Sequence, residues 1–460
     1  MAYASTNPFN NEVLKRYDNT SDEAIETAIA QGHHLYQTWR NDDVSSRSRK
    51  LNDLADYFTE HIDDLARVMT LEMGKLIGEA KEEIALSAHI AHYYANNADD
   101  MLKPKPITTA IGSAEVIYRP TGVIMSVEPW NFPFYQIIRV FAPNYMAGNP
   151  VILKHASITP GSGLAFEQAV HAVGMPTGSF KNIFATHEQL EHILADKRIT
   201  GLAFTGSEKV GAVIGGEAAS NLKKSTLELG GNDPLIVLDD ADLSELNKII
   251  GDSRLANAGQ VCVSSKRLIV TEANYATVLD MYKTAFAKIQ KVGDPLDPKT
   301  QLAPLSSVKA KRRLVKQVNA ALENGATLAF GTLDTDENTA HFMPIILTNV
   351  TEDNPAFKEE FFGPVGMVFE VADEHAAIDL ANNSNYGLSG IVFAGDADHG
   401  AEVAAQLETG SVYVNYFNDT LPELPFGGVK NSGYGRELGD EGIKEFMNHE
   451  LIVKRTKPIA

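Results

Sequence analysis

The sequence predicts an α/β protein built on doubly wound, mostly parallel sheets, and two observations carry that prediction. Between residues 150 and 218, short apolar strand-like runs alternate with helical stretches, and the alternation restarts after Gly230-Gly231. The 460 residues allow two or three domains with large cores, and a hydrophobic content of 44% is that of a globular protein.

The first hundred residues are read as helical. Ala24, Ile25 and Ala28, then Leu51, Leu54, Ala55 and Phe58, recur at spacings of three and four, and Ser21 with Asp22 makes a cap. His33, His34, His61, His89 and His92 lack the spacing of a metal site and are read as surface or core residues. Two strands follow at 114–119 and 122–127, split by Pro120-Thr121. The second runs into Pro129-Trp130-Asn131-Phe132-Pro133, which puts Asn131 in a loop past a strand, where α/β enzymes place site residues.

A mostly apolar helix is expected over 134–142, interrupted by Arg139, which either reaches solvent or points into a pocket to meet an anion. It lies about two helical turns from Asn131, so both can face one cleft. Strands at 150–154, 179–184 and 201–205 then alternate with helical runs at 161–173, 188–196 and 210–218. A Gly-x-Gly-x-x-Gly fingerprint is missing from this series. Gly206-Ser207 instead opens a strand-to-helix turn that is either a plain turn or a helix N-terminus able to hold phosphate.

Past Gly231 the reading is a strand at 234–238, a helix over 243–256, a strand at 264–271, and a helix over 275–292. An amphipathic helix at 309–324, with its basic face in solvent, precedes strands at 365–371 and 450–453.

Composition narrows the partners. Sixty acidic against forty basic residues give a formal net charge of −20, which opposes nucleic acid and anionic membrane surfaces. One cysteine forms no internal disulfide and no Cys-rich zinc site, and no metal is expected. With no apolar run of about 20 residues and no secretory pattern at the N-terminus, the expectation is a soluble, cytoplasmic protein.

The chemistry centres on that cysteine. Cys262, in Asn257-Ala-Gly-Gln-Val-Cys-Val-Ser-Ser265, is either a small buried hydrophobe or a thiol presented by a Gly-Gln turn beside backbone N–H groups. Glu228 lies between two leucines before a Gly-Gly break, a setting that raises a carboxyl pKa toward general-base use. Asn131 is a proline-flanked amide able to donate to an oxyanion, and Glu360 precedes Phe361-Phe362-Gly363-Pro364.

These four segments, in this order and near this spacing, resemble the aldehyde dehydrogenase superfamily from about Asn7 to the C-terminus. The resemblance implies two Rossmann-like open-sheet domains and a small β oligomerisation element. Cofactor binding would fall to 1–107 and 121–229, catalysis to 230–438, and oligomerisation to 108–120 and 439–460. It implies a Cys262 thiolate attacking an aldehyde, an oxyanion held by Asn131 and the Cys262 N–H, and Glu228 activating water on the thioester.

The resemblance also assigns cofactor contacts to Trp130, Lys154, Gly206, Ser207, Glu360 and Phe362. Where NAD-preferring members carry a glutamate, Ser157 stands instead, which removes repulsion of a 2′-phosphate and implies NADP, with NAD as the other candidate. Arg139 matches an arginine that binds the distal carboxylate in succinate-semialdehyde dehydrogenases, and Ser264 adds a hydrogen bond. A second such arginine is absent from the loop 416–424, which leaves broader aliphatic aldehydes open. Glu437 is a proton relay or a surface carboxylate, and the assembly expected is a homodimer or homotetramer. A cofactor-independent thiol esterase and a non-catalytic binding protein are the readings from other classes.

Overall fold

The computed structural model describes residues 3–39 and 44–455. Its first large sheet has the strand order Gly433–Tyr434, Lys224–Glu228, Ile199–Thr205, Val123–Glu128, Val151–His155, Phe180–Asn182. All neighbours are parallel except the first pair. Both faces are covered. Val123 and Met125 point into one core with Ile152 and Phe204, while Ile124 points into another with Leu153 and Ala203. A strand with both faces buried is mostly apolar, which is why residues 123–127 and 151–153 read as hydrophobic runs.

The second sheet orders Thr327–Phe330, Ile345–Thr348, Val365–Val371, Ser265–Thr271, Asp233–Val237, Ser389–Phe393 and Ser411–Val414. Only the first pair is antiparallel. Here too alternate residues divide between cores, Leu235 and Val237 to one side and Ile236 to the other. A third, antiparallel sheet joins Lys105–Thr108, Gly112–Pro120 and Met447–Arg455. It takes in residues 105–107, which the sequence boundaries had placed with the cofactor-binding segment, and its last strand is longer than the four residues expected. Among the described residues no helix is long and apolar enough to cross a membrane.

Two helices depart from expectation in ways that shape the site. The helix expected to stop at 142 spans Tyr135–Ala147 and continues through Pro143, because every residue in it is buried and packing outweighs the proline. It stops at Gly148, whose φ is 91°. The helix expected over 243–256 breaks into Leu243–Ile249 and Asp252–Leu255, then a tight turn, Ala256–Gly259. Asn257 and Ala258 adopt φ of 51° and 54° there, a left-handed strain that side chains avoid. It is held by tertiary bonds, from Asn257 N–H to Glu79 at 2.7 Å and from Asn257 Nδ2 to the Asn131 carbonyl at 2.9 Å.

Candidate active site

Four strands of the first sheet deliver polar residues at their carboxyl ends. Asn131 follows Val123–Glu128, Ser157 follows Val151–His155, Ser207 follows Ile199–Thr205, and Glu228 closes Lys224–Glu228. The carboxyl edge of a parallel sheet is where helix N-termini and loops converge on a ligand. Facing it is a cavity of about 290 Å³. Trp130, Asn131, Gly206, Ser207, Cys262, Glu360 and Phe362 line it together. Residues more than a hundred positions apart in the chain are thereby brought to one cleft.

Cys262 is partly buried, and burial pushes its thiol up to about 12, against the opposing pull of Lys266 and then Arg139. Its loop is braced from both sides. Asn131 Nδ2 donates to the Gln260 carbonyl at 3.2 Å, while Gln260 Oε1 accepts from Ser306 N–H at 2.9 Å. Gly259, at φ 73°, passes so close to Gly363 that a Cβ would come within 2.5 Å of it, so the cysteine loop and the Glu360–Gly363 loop are in backbone contact.

Glu228 is buried, and neither carboxylate oxygen has a hydrogen-bond partner within the described residues. Its carboxyl is held well above the usual range, first by burial and then by Glu437. A buried carboxyl without a donor is disposed to pull a proton from water rather than to sit in a salt bridge. Leu229 and Gly230, the next residues, line the cleft.

Trp130 and Phe362 meet edge to face at 5.7 Å, with an interplanar angle of 88°. Both also line an adjoining cavity of about 350 Å³ that contains Ser157, Ser306, Lys309 and Arg313. Ser207 caps the helix Glu208–Ser220 by position but spends no side-chain bond on it. Lys154 lies in the strand behind Ser157, half-buried, with Nζ over the Tyr3 ring at 5.7 Å and its pKa lowered by burial. Glu360 Oε1 accepts from Gly231 N–H at 3.2 Å and pairs with Lys266 at the same distance.

Arg139 and Ser264 are placed differently from the expectation. Arg139 is buried and does not line the cleft; its guanidinium is ion-paired with Glu437, donates to Thr205 Oγ1 at 3.0 Å and to Tyr135 OH at 3.2 Å. The Tyr135 and Phe426 rings flank it at 5.0 and 4.8 Å. The physical reason is charge: Glu128, Glu228 and Glu437 are all buried around it, and each carboxyl is raised by burial first. Glu437 is thus no surface carboxylate. Ser264 Oγ donates to the Ser253 carbonyl at 3.0 Å and accepts from Arg254 at 2.9 Å, and the residue borders a different cavity with Phe132 and Val263.

Three residues that sequence reasoning passed over complete the arrangement. Arg254, fully buried, donates to the carbonyls of Gly259, Phe361, Gly363 and Val365, tying the cysteine loop to the Glu360 loop. Lys266, fully buried, reaches back to the Val261 and Cys262 carbonyls. Arg313 lines both cavities, although the basic face of the amphipathic helix, here Val308–Glu323, was expected in solvent. Lys311 on that helix is also buried, paired with Asp334 at 2.9 Å. A lysine four residues past a lone cysteine, just before the apolar run Leu268-Ile269-Val270, was the available signal for Lys266. Arg313 had none, since a cleft-facing arginine on a basic helix has the same sequence as a solvated one.

Comparison with known proteins gives the same picture. The family model described as "Aldehyde dehydrogenase family" matches residues 1–452. The succinate-semialdehyde dehydrogenase [NADP(+)] of Deinococcus radiodurans is 42% identical over 450 residues, 98% of this chain and 94% of that one. The protein of the same description from Mycobacterium avium is 38% identical, covering 98% and 96%. Among solved structures, the succinic semialdehyde dehydrogenase of Streptococcus pyogenes in complex with NADP+ superposes with a TM-score of 0.97 at 46% identity, over 99% of this chain and all of that one. The betaine aldehyde dehydrogenase of Staphylococcus aureus in complex with NAD+ gives 0.93 at 30% identity, over 100% and 92%. With its cleft, its sheets and its relatives in agreement along almost its whole length, the chain belongs to the aldehyde dehydrogenase family.

Proposed function

We propose that the protein oxidises succinate semialdehyde to succinate with NADP as the preferred acceptor, through a thioester on Cys262. The observation that supports this chemistry is a cleft lined by the only thiol and by Leu229 and Gly230, which directly follow Glu228, a buried carboxyl with no donor among the described residues. The thiolate adds to the aldehyde carbon, and the oxygen that becomes anionic is met by the Asn131 amide and the Cys262 N–H. After oxidation, Glu228 takes a proton from water so that the hydroxide attacks the thioester and the thiol leaves. A bound nicotinamide nucleotide supplies the hydride acceptor.

The residues fit such a nucleotide. Trp130 and Phe362 offer apolar walls, the Ser207 helix N-terminus offers N–H groups to a phosphate, and Glu360 offers a carboxylate to ribose hydroxyls. Ser157, with Lys309 and Arg313 in the same cavity, leaves no carboxylate to repel a 2′-phosphate. The Deinococcus, Mycobacterium and Streptococcus relatives support the same substrate and cofactor. A second reading, oxidation of neutral aliphatic aldehydes, is favoured by the engagement of Arg139 with Glu437 rather than with the cleft. Assembly as a homodimer or homotetramer is read onto the three-stranded sheet, where Leu451 and Val453 stand exposed.

The test is NADPH formation with succinate semialdehyde, run beside NAD, beside propanal and with Cys262→Ala. Turnover that is fastest with NADP and the semialdehyde, and abolished in the variant, is expected. Faster turnover with propanal overturns the substrate, and faster turnover with NAD overturns the cofactor.

A further inference from the structure

Lys266 has no part in the chemistry described above, yet it is fully buried beneath the residues that perform it. Its Nζ donates to the Val261 carbonyl at 2.8 Å and to the Cys262 carbonyl, and pairs with Glu360 Oε1 at 3.2 Å. A buried ammonium is retained only where its three donors are met, and here they are met by the cysteine loop and one carboxylate.

The geometry of the peptide turns this into a functional statement. The peptide joining Val261 to Cys262 is planar and trans, so its carbonyl and its N–H point in opposite directions. Lys266 holds the carbonyl inward, together with the Ser264 N–H at 3.2 Å. The Cys262 N–H is thereby directed away from the lysine, and it has no acceptor among the described residues. The next carbonyl, that of Cys262, is packed against Gly231, where a Cβ would come within 2.5 Å of the oxygen. Gly231 N–H in turn donates to Glu360. Thiol loop, glycine break, lysine and carboxylate therefore form one closed cluster.

We propose that Lys266 is a positioning residue for catalysis: it orients the Val261–Cys262 peptide so that the Cys262 N–H serves the oxyanion, and its charge links the thiol to Glu360. This rests on Cys262 being the nucleophile. The charged or titratable groups around the thiol are Lys266, Arg139, Glu360, Asp233 and Tyr135. Lys266 and Arg139 favour the thiolate, while Glu360 and Asp233 oppose it. Occupation of Glu360 by a ribose would leave more of the lysine's charge to the thiol, so nucleotide binding and thiol activation are coupled through this residue.

The experiment is alkylation by iodoacetamide as a function of pH in Lys266→Met and Glu360→Gln, with turnover of p-nitrophenyl acetate as a nucleotide-free measure of oxyanion stabilisation. With one cysteine in the chain, labelling reports Cys262 whether or not it is the nucleophile. A separate loss of turnover in Cys262→Ala tests that underlying reading. The expected result is opposite signs: the alkylation midpoint rises by about one unit or more in Lys266→Met and falls in Glu360→Gln. Ester turnover in Lys266→Met falls by about tenfold or more. Midpoints that stay put, or that move in the same direction in both variants, overturn the proposal, as does unchanged ester turnover in Lys266→Met. If Lys266→Met does not fold, Lys266→Gln, which keeps a donor for the carbonyls without the charge, decides instead, a raised midpoint upholding the charge linkage and an unmoved one overturning it.

Discussion

Replacing Arg139 by methionine separates two accounts of the same guanidinium. In the structure it is a buried counter-ion: its side chain is 0% exposed, that of Glu437 is 6% exposed, and Glu128 and Glu228 lie in the same cluster. Removing one partner of a buried pair costs about 3–5 kcal/mol, because the charge left behind is uncompensated. The sign with pH follows from the carboxyls. Burial already raises all three, and without the guanidinium they rise further, so the folded variant favours their protonated forms. Its stability deficit is therefore smallest in acid, below the ordinary carboxyl range, and grows as pH climbs through the raised values.

Catalysis should fall for every aldehyde alike, since Glu437 and Glu228 are disturbed whatever the substrate. If Arg139 instead received the substrate's distal carboxylate, the loss would be selective. A hydrogen bond to a charged group contributes about 1.5–3 kcal/mol, or about 10- to 150-fold in kcat/KM for succinate semialdehyde over propanal. The assay is that ratio in wild type and Arg139→Met, with urea midpoints at several pH values alongside. A ratio unchanged within about twofold fits the observed geometry; a selective loss for the semialdehyde, with propanal turnover intact, would refute it.

Other outcomes follow from the same site. Glu228→Gln should release about one equivalent of NADPH per subunit in a burst and then stall, because oxidation precedes the step that needs the base; linear turnover without a burst would remove Glu228 from that role. In the wild type, turnover limited by thioester hydrolysis should rise as pH increases past the ordinary carboxyl range, since the raised Glu228 acts only once deprotonated, and this limb should vanish in the glutamine variant. Ser157→Glu should shift the NADP/NAD ratio of kcat/KM toward NAD by about tenfold or more, with little change in kcat for NAD; an unmoved ratio would show that Ser157 does not face the 2′-position. Arg254→Met should lower thermal stability and kcat together, since four backbone carbonyls lose the guanidinium at once.

Much of this protein is legible in one dimension. The alternation of doubly buried strands with helices is a local pattern, and the run 123–127, apolar but for Ser126 and buried throughout, can be satisfied only between two covered faces. The thiol, the carboxyl between leucines and the proline-flanked amide are also visible by type and setting, and the structure brings Cys262 and Asn131 to one cleft, lined as well by Leu229 and Gly230 just past Glu228.

What tertiary structure alone decided is where long charged side chains end. Arg139 reads in sequence as a cation interrupting an apolar helix, and whether it meets solvent, substrate or a carboxylate depends on Glu437, which lies near the far end of the chain. Lys266 looks like the polar start of a strand until Glu360 and two carbonyls close around it. The left-handed turn at Asn257 and Ala258 has no local cause, because its strain is offset by bonds to Glu79 and Asn131. Apolar periodicity records which face is buried, but the partner of a buried charge is set by long-range geometry and by the need to leave no charge alone in a low dielectric.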